Sequence, residues 1–298
     1  MSNSNTLCIL GCGNLGTAIL KSLLASDEQL FTHYIACVSS KSSEQRLTAQ
    51  FPNSSNTTVS VGDNVTAVEK SSVIILGLDP SVIETGLTQP GLREALSNKL
   101  LISVAAGWTR QKLEETIYGT DSSSDQNRAC IIRTLPNIAA LVSQSLTAIE
   151  IEPTRQIPPH HLALTDRIFS RVGKTIHVPS SLMDATTAVA GSTPAMFAVI
   201  VDAMIDAAVA VGVPRNMAHT MIFQAMQGTA SMLQSGIHPA LLKDQGTSPE
   251  GCTIGGLMVL EENGVRGGVG RALREAVTVA RRMDGVRHVN DTRCLPEP

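Results

Sequence analysis

A chain of 298 residues, 43% hydrophobic and 16% charged, has enough apolar material for a sizeable core and a length that suits two domains. A net charge of -3 and an aromatic share of 3% exclude the basic field and stacking platforms of nucleic-acid binders, so no nucleic-acid partner is expected. The six cysteines are scattered without a CxxC pair; no metal site is expected, and small buried thiols in a reducing, cytoplasmic setting fit best. The polar start Met1-Ser2-Asn3-Ser4-Asn5 lacks the basic residues of a signal peptide. No apolar run is read as reaching the ~18–20 residues of a bilayer span, so no membrane partner is expected.

Thr6–Leu10 reads as the first strand, and Leu15–Leu24 as a helix with apolar spacing at Leu15, Ile19 and Leu23. Between them lies Gly11-Cys12-Gly13-Asn14-Leu15-Gly16. A glycine pattern of this kind is a weak signal alone, but strand before and helix after is the context of a dinucleotide site. Gly11 allows the tight turn, Gly13 lets a pyrophosphate approach the backbone, and Gly16 permits close helix–strand packing. The bland alternative is a glycine-rich turn without a ligand.

A second strand is read at Tyr34–Val38. An acidic residue at its end would bind the ribose 2′-OH of NAD; Ser39-Ser40-Lys41 stands there instead, with Arg46 further on. Two hydroxyls and a lysine suit a 2′-phosphate, so NADPH is the expected cofactor and NADH the alternative. These are also ordinary residues for a loop. Further strands are read at Val73–Leu78, Leu100–Val104, Ala129–Arg133 and Thr175–Val178, with surface loops at 53–58 and 120–127. Alternation with helices implies βαβ units and a mainly parallel, Rossmann-like α/β sheet over residues 1–179. Leu78-Asp79-Pro80 and Ala105-Ala106-Gly107 close two strands with small or turn-forming residues, where a ligand crosses the carboxyl ends of such a sheet.

The Pro-rich stretch 152–159 introduces a predicted helix at His160–Val172, whose adjacent histidines face different ways and make poor metal ligands. From Asp184 onward strand signals vanish, and helices are predicted at Thr193–Val211, Pro214–Gln234, Ile254–Glu262 and Gly270–Asp284. Gly212-Val213-Pro214 ends one helix and opens the next. Ala195–Val211 is apolar on nearly all sides, so it must be buried all round; in a helical domain spanning 180–298 that usually needs a partner chain, and a homodimer is expected, the alternative being one central core helix within a monomer. Leu241–Thr253 reads as a compact polar loop entering a helix. Its backbone N–H groups could hold a carboxylate and Thr253 could donate a hydrogen bond at the reacting centre. Thr253 reads equally well as an ordinary N-cap.

These motifs together resemble the pyrroline-5-carboxylate reductase family over nearly the whole chain. The resemblance rests on the glycine turn at 11–16, Asn64, Leu78-Asp79-Pro80, Ser103–Gly107 and Ile132–Asn137. In the second half it rests on Asp184–Ala188, Gly191–Ala195, His238-Pro239, Leu242-Lys243-Asp244 and Ser248-Pro249-Glu250-Gly251-Cys252-Thr253-Ile254. It implies a Rossmann-like domain followed by a helical dimerisation domain, with dimers able to assemble further. It implies that Asn64, Leu78, Asp79, Pro80, Ala105, Ala106 and Gly107 face NAD(P)H, that Ser248, Gly251, Cys252 and Thr253 hold the substrate carboxylate, and that Thr253 sits near the imine nitrogen. The implied reaction is reduction of the C=N bond of a cyclic imino acid, 1-pyrroline-5-carboxylate to L-proline.

Departures from the family pattern occur at Asp79 (usually Lys), Thr193 (usually Gly), Met196 (usually an aromatic nearby), Ser180 (usually acidic) and Glu250 (usually Gly). They motivate two other readings: an imine reductase for a modified, for example methylated, pyrroline carboxylate, and a nucleotide-binding paralogue without catalysis.

Overall fold

β-branched runs bounded by small residues form strands in the computed structural model, which describes residues 5–52, 54–120, 127–152, 156–283 and 292. In chain order the first stretch is β1 (Thr6–Leu10), α1 (Asn14–Leu24), β2 (His33–Val38), α2 (Lys41–Gln50), β3 (Thr57–Val61), α3 (Asn64–Glu69) and β4 (Val73–Leu76). A 3₁₀ turn at Pro80–Val82 leads to α4 (Ile83–Leu87), α5 (Leu92–Ala95), β5 (Leu100–Ser103), α6 (Arg110–Tyr118) and β6 (Cys130–Leu135). After a 3₁₀ turn at Ile138–Val142 come β7 (Ser145–Ile151), α7 (Pro159–Phe169) and β8 (Gly173–Pro179).

The strands form one sheet ordered β3-β2-β1-β4-β5-β6-β7-β8. All neighbouring pairs are parallel except β6–β7, where Thr134 faces Ile149 and Leu135 faces Ala148. β1, β4 and β5 are buried along their whole length, as strands covered by helices on both faces must be. Their alternate residues feed two cores. Leu7, Ile9, Ile75 and Ile102 pack with Ile19 and Leu23 of α1 and Phe169 of α7; Cys8, Leu10, Ile74 and Leu101 pack on the other face with Ile83, Leu92 and Leu113.

The chain forms two compact units, Met1–Gly191 with Val277–Val289, and Ser192–Ala276 with Asn290–Pro298. α8 (Met183–Gly191) belongs with the sheet: Met183 packs against Leu135, Ala148 and Val178, and Asn137 Nδ2 donates to the Ala190 carbonyl at 2.9 Å. The second unit is built from α9 (Thr193–Ala210), α10 (Arg215–Gln234), α11 (Pro239–Gln245), α12 (Cys252–Glu262) and most of α13 (Val265–Arg282).

Several expectations need correction. The loop expected at 53–58 gives way to β3 at Thr57, an edge strand on which Thr58 and Val61 are exposed and Thr57, Val59 and Ser60 half-buried. Strands expected to run to Leu78 and Val104 stop at Leu76 and Ser103, because the chain turns there over the end of the sheet. α13 starts five residues earlier than expected, at Val265 rather than Gly270; Asp284, the expected end, and residues 121–126 of the second expected loop lie outside the described residues. The helix expected to be buried all round is not buried in a single chain: Ile205 is enclosed, but Phe197 is 48% and Val199 72% exposed. Ser180–Ala210 is also long and apolar enough to cross a membrane by length and composition alone, contrary to the expectation that no such run exists.

Candidate active site

The order of β2 and β4 on opposite sides of β1 makes the end of β1 the switch point of the sheet, where dinucleotides cross. The glycine turn sits there. Gly11 has φ +88°, and a Cβ on it would lie 2.6 Å from both the Gly77 carbonyl oxygen and the Leu78 nitrogen. Only glycine fits. Gly16 brings α1 against the turn, its virtual Cβ 2.9 Å from Gly11 O and 3.0 Å from Ile9 Cγ2. Gly13 differs: nothing lies within 4 Å of its virtual Cβ, and as N-cap of α1 it has no side chain over the first-turn N–H groups. Those donors, with the positive end of the helix, are free for an anion, so the residues present fit a pyrophosphate. Asn14 is exposed beside Gly13, while Leu15 packs into the core and offers only its backbone.

Beside the turn is a cavity of about 410 Å³, lined among others by Gly13, Ser39, Ser43, Asn64, Leu78 and Asp79. A larger groove of about 610 Å³ lies along Thr6, His33, Thr58 and Glu69, away from the glycine turn, and has none of these features. Of the residues singled out as cofactor-binding at these two places, Ser39 and Asn64 line the cavity, and Ser40 and Lys41 are not among its lining residues. Ser40 is the N-cap of α2, its Oγ accepting the Ser43 N–H at 3.2 Å. Arg46 turns back to the glycine turn, donating from Nη2 to the Cys12 carbonyl at 3.0 Å and from Nη1 to Thr17 Oγ1 at 3.3 Å. Ser39 and Ser43, at the N-terminal end of α2, bring the two hydroxyl side chains among the cavity's lining residues. Ser43 and Gln89 were not read from sequence; Gln89 Oε1 accepts from Asn64 Nδ2 at 3.4 Å, a pairing across 25 residues that no local pattern marks.

The strand ends after β4 and β5 are tied together. Trp108 Nε1 donates to the Pro80 carbonyl at 3.2 Å, and the Ala105 N–H donates to Ser103 Oγ at 3.3 Å. Ala105 is buried, and Ala106 and Gly107 are half-buried. Pro80, Ala105, Ala106 and Gly107 do not line the cavity itself. Asp79 does, and caps the 3₁₀ turn: its Oδ1 accepts the Ser81 N–H at 2.9 Å and the Ser81 hydroxyl at 2.6 Å. These hydrogen bonds hold its carboxyl below the ordinary aspartate range. The buried thiol of Cys12 is pushed up to about 11 by desolvation, so it stays protonated and takes no part as a nucleophile.

In the second unit the expected long loop is partly helical. α11 occupies Pro239–Gln245, capped by His238 Nδ1 accepting the Ala240 N–H at 3.2 Å. The loop proper is a four-residue turn in which the Gly251 N–H donates to the Ser248 carbonyl at 3.0 Å. Pro249 takes its second position and Glu250, with φ +61°, its third, the arrangement of a type II turn. Thr253 is neither loop residue nor N-cap. Gly251 caps α12 without a side-chain bond, Cys252 is the first helical residue, and Thr253 is the second, exposed. The first-turn N–H groups of α12 are therefore uncovered by any capping side chain. Because Glu250 occupies a left-handed position, Glu250→Gly is expected to raise stability by up to about 1 kcal/mol in urea unfolding. A lower midpoint would show that the glutamate contributes more than its strained backbone costs. Among the described residues no group of His, Cys, Asp and Glu could hold a metal.

A switch-point glycine turn with open helix N–H groups defines a dinucleotide-binding protein of the doubly wound α/β class. Residues 6–107 match the family model described as NADP oxidoreductase, coenzyme F420-dependent, and residues 180–283 that of pyrroline-5-carboxylate reductase dimerisation. A pyrroline-5-carboxylate reductase of Lophium arboricola is 41% identical, over 97% of this chain and 96% of its own; one of Neurospora crassa is 35% identical over 98% and 97%. The chain belongs to the pyrroline-5-carboxylate reductase family. The solved enzyme of Streptococcus pyogenes, 26% identical, superposes with a TM-score of 0.78 over 94% of this chain and all of that one. The Plasmodium falciparum enzyme, solved with NADP bound, shares the fold at 23% identity and a TM-score of 0.79, over 96% of this chain and all of that one.

Proposed function

We propose that this chain reduces 1-pyrroline-5-carboxylate to L-proline, with NADPH as preferred donor and NADH as a second one. The observation that carries the reading is an open glycine turn in a chain that is 41% identical, over nearly its whole length, to a pyrroline-5-carboxylate reductase. NADPH, when bound, supplies the hydride that the imine carbon accepts. The protein's own work is placement. The α1 N–H groups hold the pyrophosphate, and Ser39 and Ser43 hold the 2′-phosphate. The strand ends at 78–80 and 105–107 support the nicotinamide half. Residues 180–298 supply dimerisation and substrate binding, with the uncovered N–H groups at the start of α12 for the substrate carboxylate and Thr253 Oγ1 for the ring nitrogen.

Steady-state kinetics on 1-pyrroline-5-carboxylate and its methylated analogue test the substrate; a much higher kcat/KM on the methylated ring overturns the reading. Thr253→Ala is expected to lower kcat/KM for the imino acid by about 10–100-fold, the worth of one hydrogen bond to a charged group, with NADPH affinity unchanged. An unaltered kcat/KM removes Thr253 from the site.

A homodimer through the helical unit, with further association of dimers, fits the apolar side chains left exposed on it. Phe223 and Met221 of α10 and Met258 and Val259 of α12 join Phe197 and Val199 of α9 in this, each at least 48% exposed. The same exposed apolar surface accounts for the membrane-like composition of 180–210. A cytoplasmic setting suits the five free cysteines among the described residues.

A further inference from the structure

Among the described residues, Asp79 is the one charged side chain lining the dinucleotide cavity. Its side chain is exposed and capped to the turn it begins. It follows the close-packed pair Gly77-Leu78, and the Ser81 amide and hydroxyl both bind the same carboxylate oxygen. The sheet order decides which half of the cofactor it faces. Ser39 and Ser43 lie on the β2 side of the glycine turn, so an adenosine half held there leaves the nicotinamide half to run over the ends of β4 and β5. Asp79 stands at the β4 end, in the turn that Trp108 ties to the β5 end.

The two redox forms of the cofactor differ in charge at one place. The ring of NADPH is neutral, and that of NADP⁺, after C4 has given up its hydrogen with the bonding pair, is positive. We propose that Asp79 is a redox-form discriminator: its carboxylate binds NADP⁺ in preference to NADPH, drawing hydride out of the cofactor and retaining the oxidised product. The proposal rests on the reading that the glycine-turn cavity holds the dinucleotide.

The test is the separate Kd of NADP⁺ and NADPH, by titration calorimetry on the full chain, for the parent, Asp79→Asn and Gly13→Asp. Asparagine keeps the cap to Ser81 and removes the charge, so the fold is retained. The expected result is that Asp79→Asn weakens NADP⁺ by about threefold or more relative to NADPH, with the gap narrowing as salt rises. Equal changes for both forms, in either direction, overturn the proposal, because a carboxylate acting on phosphate or ribose moves both alike. No change for either form also overturns it. Gly13→Asp keeps the two failures apart: it should abolish binding of both forms, and if it binds both normally the cavity reading falls and the discriminator with it.

Discussion

Arg133→Ala is expected to destabilise the sheet unit by about 3–5 kcal/mol, because it leaves a buried carboxylate without a counter-charge. Arg133 lies on β6 opposite Glu150 on β7, where the two strands run antiparallel, and its Nη1 is 3.0 Å from Glu150 Oε2. The side chains are only 4% and 6% exposed. Asp184 of α8 stands 4.0 Å from the other guanidinium nitrogen, so the arginine also faces the helix that leads out of the sheet unit. Removing it strands Glu150 in a low-dielectric setting, and the loss exceeds what the pair itself contributes. Urea unfolding at fixed protein concentration measures the cost. The double variant Arg133→Met/Glu150→Leu should recover most of it, since a buried ion pair and an apolar pair of similar volume are close in stability. A loss under about 1 kcal/mol for the single variant would mean that water reaches Glu150.

The second large effect is expected at Gly11. Valine there meets the backbone of Gly77 and Leu78 at 2.6 Å, and neither backbone can yield without moving β4. A β-branched residue at φ +88° adds its own strain. Gly11→Val should cost about 2–4 kcal/mol and weaken NADPH binding at least ~100-fold, since the turn that aims the α1 N–H groups is displaced. Calorimetric titration and thermal melting read the two effects separately. A variant that melts and binds like the parent would contradict the close packing of the two turns.

The sequence carried the sheet well where strands are buried on both faces. Leu7–Leu10, Val73–Leu76 and Leu100–Ile102 are unbroken apolar runs because helices cover both sides, and such runs stand out. Two strands lack a signal in the sequence, for opposite reasons. β3 is an edge strand of mixed Thr, Val and Ser next to an Asn/Ser-rich stretch, so its composition matches a loop. β7 carries Thr147 and Glu150 into the interior, and a buried charge breaks the apolar pattern unless its partner on another strand is known. The glycine turn was legible because each glycine answers a local steric need. The Ser39–Lys41 strand end was legible only in part: residue types suggested four recognition groups including Arg46, whereas capping took Ser40 and the turn took Arg46. At the start of α12 two residues of displacement matter, since Thr253 as the second helical residue has a different task from Thr253 as a cap.

Trp108 has a use beyond tying two turns together. It is the only tryptophan in the chain, is 6% exposed, and lies beside the strand ends proposed to support the nicotinamide half. Indole emission overlaps the absorption of reduced nicotinamide and not that of the oxidised ring. The protein therefore carries its own optical reporter: energy transfer from Trp108 should quench its fluorescence when NADPH binds and leave it far less altered with NADP⁺. Turnover could then be followed from the enzyme's side, one redox state at a time, without a label.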